Sequence, residues 1–327
     1  MASGTPQATP KIRAGRIYQD VYEKRSGDDW TSDPQVPAQA DLEVGWTEGD
    51  ELTFAGPKAR ARALADGVFL LRIPSGLDVS VGDEFSQDFY RGRGARPYGS
   101  FRELGPEQFG DALLGYHQRV NQIEQFLLER RFWAGTFPAE ITRLGEALTE
   151  LSQQVLRSVL AEVGIPRTLW PLATGRCSDG NGSYHLTFNH YRPAMAEIGL
   201  NSHKDDGFLT ILRTTSSGLQ VNRQDQWEAV PVEPDCFVVN FGLSMEILTG
   251  TSACPVSAIM HRVAHQHGDR SSFGHFSSSR CEPGEDDGIY RYRTGSDLER
   301  LCSSRELIES NDLEIYQGTE RPAEESR

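Results

Sequence analysis

Hydrophobic positions divide the chain into a helix-rich first half and a β-rich second half. Apolar residues recur every three or four positions between 138 and 163, which predicts one long amphipathic helix packed against a sheet. A shorter, alanine-rich helix is predicted at 56–67, with a proline near its start and a glycine at its end. An apolar strand at 68–74 and another helix at 79–90 are expected to follow it.

The pattern changes near residue 183. Eight short apolar or alternating segments follow one another, with turn residues between them: Tyr184–Tyr191, Leu200–Asp205, Phe208–Leu212, Leu219–Val221, Trp227–Val230, Cys236–Phe241, Ala258–Val263 and Ser271–Ser278. Such a series of short strands without long helical patterns is typical of a sandwich or jelly roll. After 281 the chain becomes polar again, with a helix predicted from Asp297 to Leu307 and a polar tail.

Helices followed by a compact all-β unit favour one domain in which helices buttress a barrel. We therefore expect a mainly β protein with a jelly-roll core and a single domain over residues 1–327. In this interpretation, 1–180 is a largely helical support region, 181–280 is the β core, and 281–327 is a C-terminal helix with its tail.

Composition narrows the classes of partner. The chain has 37% hydrophobic and 24% charged residues, which suits a globular protein, and a net charge of -14 argues against nucleic acid or an anionic membrane as main partner. No window approaches the roughly 18 apolar residues of a membrane span, and the N-terminus lacks the apolar run of a signal peptide. Five cysteines without a CxxC pair indicate a reducing, cytoplasmic setting. No pattern indicates a particular oligomeric state.

The candidate chemistry begins in the stretch Asn201–Gly207. His203 and Asp205 are two residues apart, and in an extended strand such residues project from the same face. An imidazole and a carboxylate are two of the three ligands of an open, oxygen-activating iron site. Taken alone, the triplet fits a His and an Asp in a surface turn better than a metal site.

The third ligand is expected from a distant strand. His261 lies in the seventh predicted strand, and closure of a jelly roll brings the second and seventh strands together. Two imidazoles and one carboxylate on one side of a metal leave positions open for a co-substrate and dioxygen. His265 and His267 are rivals, but they lie in a predicted turn. Asp206 replaces Asp205 only if the strand slips by one residue.

A possible carboxylate clamp follows nine residues after His261. Arg270 and Ser272 share a strand face, and a guanidinium beside a hydroxyl suits a carboxylate. The first predicted strand carries polar side chains on one face, which would line a barrel interior: His185, Thr187, Asn189 and Tyr191.

Together these residues resemble the iron/2-oxoglutarate-dependent dioxygenases, in particular the isopenicillin N synthase-like branch. The resemblance rests on six segments: Asn189–Pro193, His203–Asp205, Gly218–Gln220, Phe237–Gly242, Met260–Val263 and Arg270–Ser272. It is close over 185–280 and looser over 56–100. It implies a cupin-like double-stranded β-helix and makes the expected domain a catalytic one.

The resemblance also implies site roles. Fe(II) would be bound by three residues: His203, Asp205 and His261. The distal carboxylate of 2-oxoglutarate would be bound by Arg270 and Ser272 with help from Tyr191, and Asn189 would lie near the metal-chelating end. Dioxygen would be the second co-substrate. Two departures from the family pattern are Leu243, where many relatives carry Asp, and the pair His190 and Arg192 around Tyr191.

The function implied is oxidation of a small molecule by hydroxylation, desaturation or cyclisation. We expect an amino-acid-derived intermediate of secondary metabolism, such as antibiotic or natural-product biosynthesis. Two alternatives stay open: an oxidase with the same triad that does not use 2-oxoglutarate, and a metal-free jelly-roll binding protein. Candidate substrate contacts lie in two basic segments: Arg91, Arg93, Arg96, Tyr98, Tyr290 and Arg293. For the basic loop 91–100, closure over an anionic substrate and simple exposure are equally compatible.

Overall fold

A computed structural model describes residues 37–94, 97–293, 295 and 297–316. Predictions for 1–36, for Arg96 and for the tail beyond 316 lie outside these residues. The strands are β1 Val44–Glu48, β2 Glu51–Phe54, β3 Val68–Arg72, β4 Gly115–Gln118, β5 Ile123–Glu129, β6 Ser183–Tyr191, β7 Leu200–His203, β8 Leu209–Thr214, β9 Leu219–Arg223, β10 Gln226–Ala229, β11 Cys236–Phe241, β12 Met260–Val263, β13 Arg270–Ser278, β14 Cys281–Glu282, β15 Glu285–Asp286, β16 Ile289–Arg293 and β17 Asp297–Cys302. The helices are α1 Pro57–Asp66, α2 Ser80–Asp88, α3 Trp133–Thr136, α4 Ala139–Val163, α5 Trp170–Ala173, α6 Leu243–Thr249 and α7 Ser304–Tyr316.

Two sheets form the core. Nine strands form the larger sheet in the order β2-β1-β3-β11-β8-β13-β6-β5-β4, and four form the smaller sheet in the order β10-β9-β12-β7. Apolar side chains from both sheets meet between them, among them Val221, Val238 and Ile259. The expected class, a mainly β fold with a jelly-roll core and supporting helices, is confirmed.

Helices cover the outer face of the large sheet. The long helix α4 buries one stripe of apolar residues, including Leu144, Leu148 and Val155. An aromatic cluster fills the space beneath α2, where the Phe85 ring lies 4.2 Å from that of Phe188 and 4.6 Å from that of Phe101 between centroids. This layer fixes the large sheet, so its inner face is a rigid floor for the site.

All eight strands predicted after residue 183 are present, with ends that differ by up to two residues. One difference matters for the site: the second of them, β7, ends at His203, so Asp205 lies in the following turn. The region before 180 supplies helices as predicted, but it also supplies five strands of the large sheet. The division of the chain at 180 and 280 stays a prediction.

The helix predicted from Asp297 to Leu307 is wrong over its first half. Residues Asp297–Cys302 form β17, which pairs with β16, and the helix α7 begins only at Ser304. The segment alternates polar and apolar residues closely enough to fit either structure, and pairing with β16 decides between them.

Candidate metal and co-substrate site

Two histidines face each other across the smaller sheet. His203 on β7 and His261 on β12 are directly opposite in the antiparallel pairing, and their ring centroids are 4.2 Å apart. The strand pairing therefore brings together two side chains that are far apart in the sequence, as jelly-roll closure predicted.

Asp205 completes a group of three ligand atoms. Its Oδ1 lies 3.6 Å from Nε2 of His203 and 3.7 Å from Nε2 of His261. All three atoms lie within 4.8 Å of one another, and no other group of three His, Cys, Asp or Glu in the described part of the chain is so arranged. A metal ion with ligand distances of about 2 Å fits such a triangle with little adjustment.

Hydrogen bonds around the triad set the orientation of each ligand. Nδ1 of His203 donates to the carbonyl of Asn201 at 2.8 Å, and Nδ1 of His261 donates to that of Ile259 at 3.3 Å. Each imidazole therefore presents Nε2 to the centre, which is the usual support of a metal-binding histidine.

The carboxylate of Asp205 is held through one oxygen. Oδ2 accepts hydrogen bonds from Nδ2 of Asn240 at 2.7 Å and from Oγ1 of Thr210 at 2.5 Å. In addition, the backbone N–H of Leu243 donates to the carbonyl of Asp205 at 2.7 Å. Oδ1 therefore faces the two histidines. The turn after β7 positions Asp205, because the strand itself ends before this residue.

The charge states also suit a metal. Burial, with the nearby His203, lowers the pKa of His261 to about 4, so its imidazole is neutral at neutral pH. Burial alone would raise the pKa of Asp205, but His261, His203 and the Thr210 hydroxyl outweigh burial and hold it well below its usual range. A carboxylate and neutral imidazoles are the forms that bind a divalent cation.

Neighbouring candidates do not join the triad. The Lys204 ammonium lies 3.0 Å from Glu246. Asp206 is a separate, half-buried acid, and loss of solvent together with the adjacent Asp205 raises its pKa to about 6. Nδ1 of His265 hydrogen-bonds the carbonyl of Glu197 at 2.8 Å. His267 is exposed and packs its ring on His265.

The predicted carboxylate clamp lies on the floor of the site. In the large sheet Arg270 is opposite Tyr191, and Ser272 is opposite Asn189, so all four side chains share the inner face. Nδ2 of Asn189 lies 3.4 Å from Oγ of Ser272. All four residues are buried. The two-residue period of a strand predicted from the sequence that Arg270 and Ser272, and likewise Asn189 and Tyr191, share a face.

One nitrogen of the Arg270 guanidinium has no partner. Nε donates to the carbonyl of Ser217 at 3.1 Å, Nη2 donates to Oγ1 of Thr214 at 3.2 Å, and the group stacks over the Tyr191 ring at 4.5 Å. Nη1 is buried and unpaired, and among the described residues no carboxylate pairs with this arginine. A buried, unpaired cationic donor is costly, so the site fits the carboxylate of a bound molecule.

The two family departures leave the site intact. The His190 ring points to the other face of the sheet, where Nδ1 lies 2.7 Å from Glu124 and the ring stacks on Tyr90 at 3.6 Å. Arg192 donates to backbone carbonyls, including that of Asn121 at 2.7 Å. The side chain of Leu243 is buried at the start of α6.

The candidate substrate contacts have partners elsewhere. Arg93 pairs with Glu103 at 2.6 Å on the surface, and Arg91 lies 3.5 Å from Asp88. The Tyr98 ring is part of the aromatic core. Arg293 pairs with Glu299 at 2.6 Å, and Tyr290 packs against the core from a half-buried position. None of these contacts involves the triad.

Four supporting residues escaped sequence reasoning: Thr210, Thr214, Ser217 and Asn240. Asn240 lies within a segment that carried the family resemblance, but the sequence gives no sign that its amide holds Asp205. The other three are ordinary small polar residues: strand register places Thr210 and Thr214 beside the site, and the turn after β8 places the carbonyl of Ser217 there.

Comparison with known proteins agrees with this geometry. Residues 183–279 match the family model described as the 2OG-Fe(II) oxygenase superfamily. The β core of this chain thus has the sequence pattern of that superfamily. The matched segment contains the three triad residues and the Arg270 clamp, so the predicted resemblance is confirmed at the level of the superfamily.

Relatives of this oxygenase core include plant enzymes. Over 184 residues the chain is 30% identical to jasmonate-induced oxygenase 2 of Arabidopsis thaliana, covering 53% of this chain and 46% of that protein. Over 142 residues it is 30% identical to 2-oxoglutarate-dependent dioxygenase 21 of Oryza sativa subsp. japonica, covering 40% of each. The chain thus aligns with about half of the length of these relatives.

The fold likeness extends further. A crystal structure of JOX2 in complex with 2OG, Fe and JA matches with a TM-score of 0.62 and 20% identity, covering 95% of this chain and 96% of that one. At this identity the match supports the fold of the oxygenase core together with its supporting helices. No helix of the described residues is long and apolar enough to cross a membrane.

Proposed function

We propose that this protein is an Fe(II)- and 2-oxoglutarate-dependent oxygenase that oxidises a small, amino-acid-derived molecule of secondary metabolism. The observation that carries the proposal is the presence of two features in one interior, between the two sheets. One is a triad of two imidazoles and one carboxylate, and the other is a buried arginine with an unpaired nitrogen. The first suits iron with open positions, and the second suits the distal carboxylate of 2-oxoglutarate.

In this proposal the chain supplies geometry and charge. His203, Asp205 and His261 would hold the metal on one side, leaving the other side open to co-substrate and dioxygen. Iron with both co-substrates supplies the oxidising power for attack on an unactivated C–H bond. The protein orients the reactants and excludes water from the reacting centre.

The co-substrate would be held at its other end by the floor. Arg270 would donate its free Nη1 to the distal carboxylate, and the Tyr191 ring and Ser272 would fix its position. Asn189 lies one pleat nearer the centre of the strand than Tyr191, so it would contact the chelating end. The similar JOX2 structure is a complex with 2OG and Fe, which supports this assignment.

The substrate class and the cellular setting rest on separate observations. Two relatives, thebaine 6-O-demethylase and gibberellin 2-beta-dioxygenase 2, carry small-molecule substrates in their names, which favours small molecules over macromolecules. Five free cysteines agree with the predicted cytoplasmic setting. An amino-acid-derived substrate is favoured by paired charges that line a cavity at the end of the floor.

Succinate formation tests the co-substrate. Purified protein with Fe(II), oxygen and 2-oxoglutarate is expected to release succinate, faster when a substrate is present. His203→Ala should abolish both succinate release and Mn(II) binding, while His267→Ala, at an exposed histidine, should change neither. Turnover of a substrate without succinate would favour the oxidase that does not use 2-oxoglutarate. Unchanged metal binding in His203→Ala would favour a metal-free binding protein.

A further inference from the structure

One row of paired residues crosses the floor of the site. Strand pairing places Asn240 opposite Thr210, Thr210 opposite Phe276, Phe276 opposite His185, and His185 opposite Glu129. Directly opposite residues of antiparallel strands share a face, so the whole row lines the interior. Asn240 and Thr210 hold Asp205 at one end of this row, and His185 and Glu129 lie toward its other end.

A cavity opens at the His185 end of the row. The space between its lining side chains is about 340 Å³ when open solvent is included, and the C-terminal helix α7 forms one wall. Adjacent strands are about 4.8 Å apart, so His185 lies about 10 Å along the row from Thr210. That separation suits a small molecule bound in the cavity with one end beside the metal triad.

The cavity has an unusual balance of fixed charge. Its polar lining consists of six residues: Asp111, Glu129, Arg131, His185, Cys281 and Arg305. Arg131 lies 3.1 Å from Glu129, and Arg305 lies 3.4 Å from Asp111. Two cations and two anions therefore face one small volume, and each cation is already beside an anion.

The remaining polar groups of the cavity are neutral. Burial lowers the pKa of His185 to about 4, and burial raises the pKa of the Cys281 thiol to about 11. A neutral imidazole offers one donor and one acceptor to a ligand. No hydrogen bond from another described residue occupies the ring nitrogens of His185, which is half-buried and lines the cavity.

We propose that this cavity binds the α-amino and α-carboxylate groups of an amino acid or a close derivative, with one of its two ion pairs, Glu129–Arg131 or Asp111–Arg305, opening to receive the zwitterion. The ammonium would meet a carboxylate, and the ligand's carboxylate would meet an arginine. This assignment rests on the proposed function, since it makes the cavity the substrate site of that oxygenase.

Charge balance selects the zwitterion over singly charged ligands. A lone carboxylate would take an arginine from its acidic partner and leave a partly buried anion without compensation. A lone amine would take a carboxylate from its arginine and leave a partly buried cation without compensation. A ligand with both charges can open one ion pair and give each of its two members a new partner of opposite charge, so it alone leaves no group unpaired.

Binding of matched ligand sets tests the charge preference. The protein is loaded with Mn(II) and 2-oxoglutarate without oxygen, and calorimetry measures binding of amino acids, their decarboxylated amines and their deaminated acids. One set is L-phenylalanine with its amine, phenethylamine, and its acid, 3-phenylpropanoate. A second set is L-norleucine with pentylamine and hexanoate. The remaining standard amino acids extend the panel. At least one amino acid is expected to bind tenfold or more tightly than either analogue.

Reciprocal variants test the two charges separately. In Glu129→Gln the cavity gains a net positive charge, so the acid analogue should gain affinity relative to the amino acid by about tenfold. In Arg131→Gln the amine analogue should gain instead. Asp111→Asn and Arg305→Gln repeat the comparison at the second pair if a variant at the first pair fails to fold. Glu146→Gln is the matched control, because that residue pairs with Arg130 outside the cavity.

Two results would overturn the inference: no amino acid binds, or the variants leave the order of preference unchanged. Binding of Mn(II) and 2-oxoglutarate, which precedes the titration with amino acid, distinguishes a failure of this inference from a failure of the proposed function. Normal binding of Mn(II) and 2-oxoglutarate without amino-acid binding rejects the cavity assignment alone. Amino-acid binding that persists in protein unable to take up the metal and 2-oxoglutarate rejects the oxygenase assignment instead.

Discussion

The two oxygens of Asp205 have different surroundings. Oδ2 receives both side-chain hydrogen bonds, from Thr210 and Asn240, and Oδ1 faces the two imidazoles. This arrangement prevents the carboxylate from rotating and favours a metal contact through one oxygen only. The metal site thus depends on two residues that would never touch the ion.

Removing either donor is therefore expected to weaken metal binding. Thr210→Val and Asn240→Leu should each reduce Mn(II) affinity by about 10- to 100-fold, the usual effect of losing support behind a ligand. Calorimetric titration of the oxygen-free protein measures it. Thr142→Val is the control, since its hydroxyl contacts only the backbone of Trp133. Equal affinities in all three variants would show that Asp205 needs no such support.

At Arg270 the shape of the side chain matters as much as its charge. Arg270→Lys keeps the charge but loses the planar set of donors that reaches Ser217, Thr214 and the open Nη1 position together. The dissociation constant for 2-oxoglutarate should rise by about 10- to 100-fold, with Mn(II) affinity unchanged. Arg72→Lys, at an exposed arginine, should alter neither constant. A parallel loss of metal binding would point to general damage to the fold.

At the level of the elements, one glycine sets the distance between α4 and the sheet. A Cβ on Gly145 would come within 2.6 Å of the Trp133 ring and 2.8 Å of Leu186. Both neighbours are fully buried and cannot move aside cheaply. Glycine is normally a poor residue for a helix interior, so close packing explains its presence here.

Gly145→Ala is therefore expected to destabilise the protein by about 1–3 kcal/mol, through overpacking. In an open helix the same change would stabilise by up to about 1 kcal/mol. Gly135→Ala is the matched case, because the added Cβ meets nothing within 4 Å. Chemical denaturation of both variants measures the difference, and equal stabilities would contradict the packing argument.

Local sequence predicts the elements better than it predicts their pairing. The two-residue and 3.6-residue periods identify the eight core strands and α4, because the buried faces of these elements are regular. The strands β4 and β5 are missed, since Ile123–Glu129 has no strict alternation and is defined as a strand by pairing with β6. For Asp297–Cys302 the pattern fits two structures, and a distant partner decides the outcome.

The site residues divide in the same way, into those that local sequence predicts and those that depend on distant partners. His203, Asp205 and His261 can be found because their residue types are specific and their order follows the strand order. For Asp205 the two-residue period is an incomplete reason, because it requires a strand and β7 ends at His203. Hydrogen bonds from β8 and β11 position the carboxylate instead. Contacts of this kind, between ordinary polar residues on separate strands, leave no local signal.

For the molecule as a whole, buried neutral histidines predict sensitivity to acid. Burial lowers the pKa of His275 to about 3, and its Nδ1 has no partner. The unfolded chain binds this proton near pH 6.5, so unfolding takes up a proton as the pH falls. Stability contributed by the neutral ring is complete above about pH 6.5 and declines below it.

His275→Gln should reduce this acid sensitivity. Between pH 7 and pH 5 the wild type is expected to lose roughly 1–2 kcal/mol more unfolding free energy than the variant, whatever their stabilities at pH 7. Urea denaturation at both pH values gives the comparison. His267→Gln, at an exposed ring, should follow the wild type. A variant with the same pH dependence as the wild type would exclude His275 as the source.

The direct pairing of His203 with His261 has a mechanical consequence. A metal held there would link β7, an edge strand of the small sheet, to β12 and to the turn that carries Asp205. The ion would then hold an edge strand, which has only one neighbouring strand, and part of its binding energy would serve to keep that edge closed. Amide hydrogen exchange should therefore accelerate in Leu200–His203 when the metal is removed, and much less in β6 or β13 at the centre of the large sheet. Equal acceleration throughout the protein would mean that the ion stabilises the fold as a unit, and that its departure opens no particular side of the barrel.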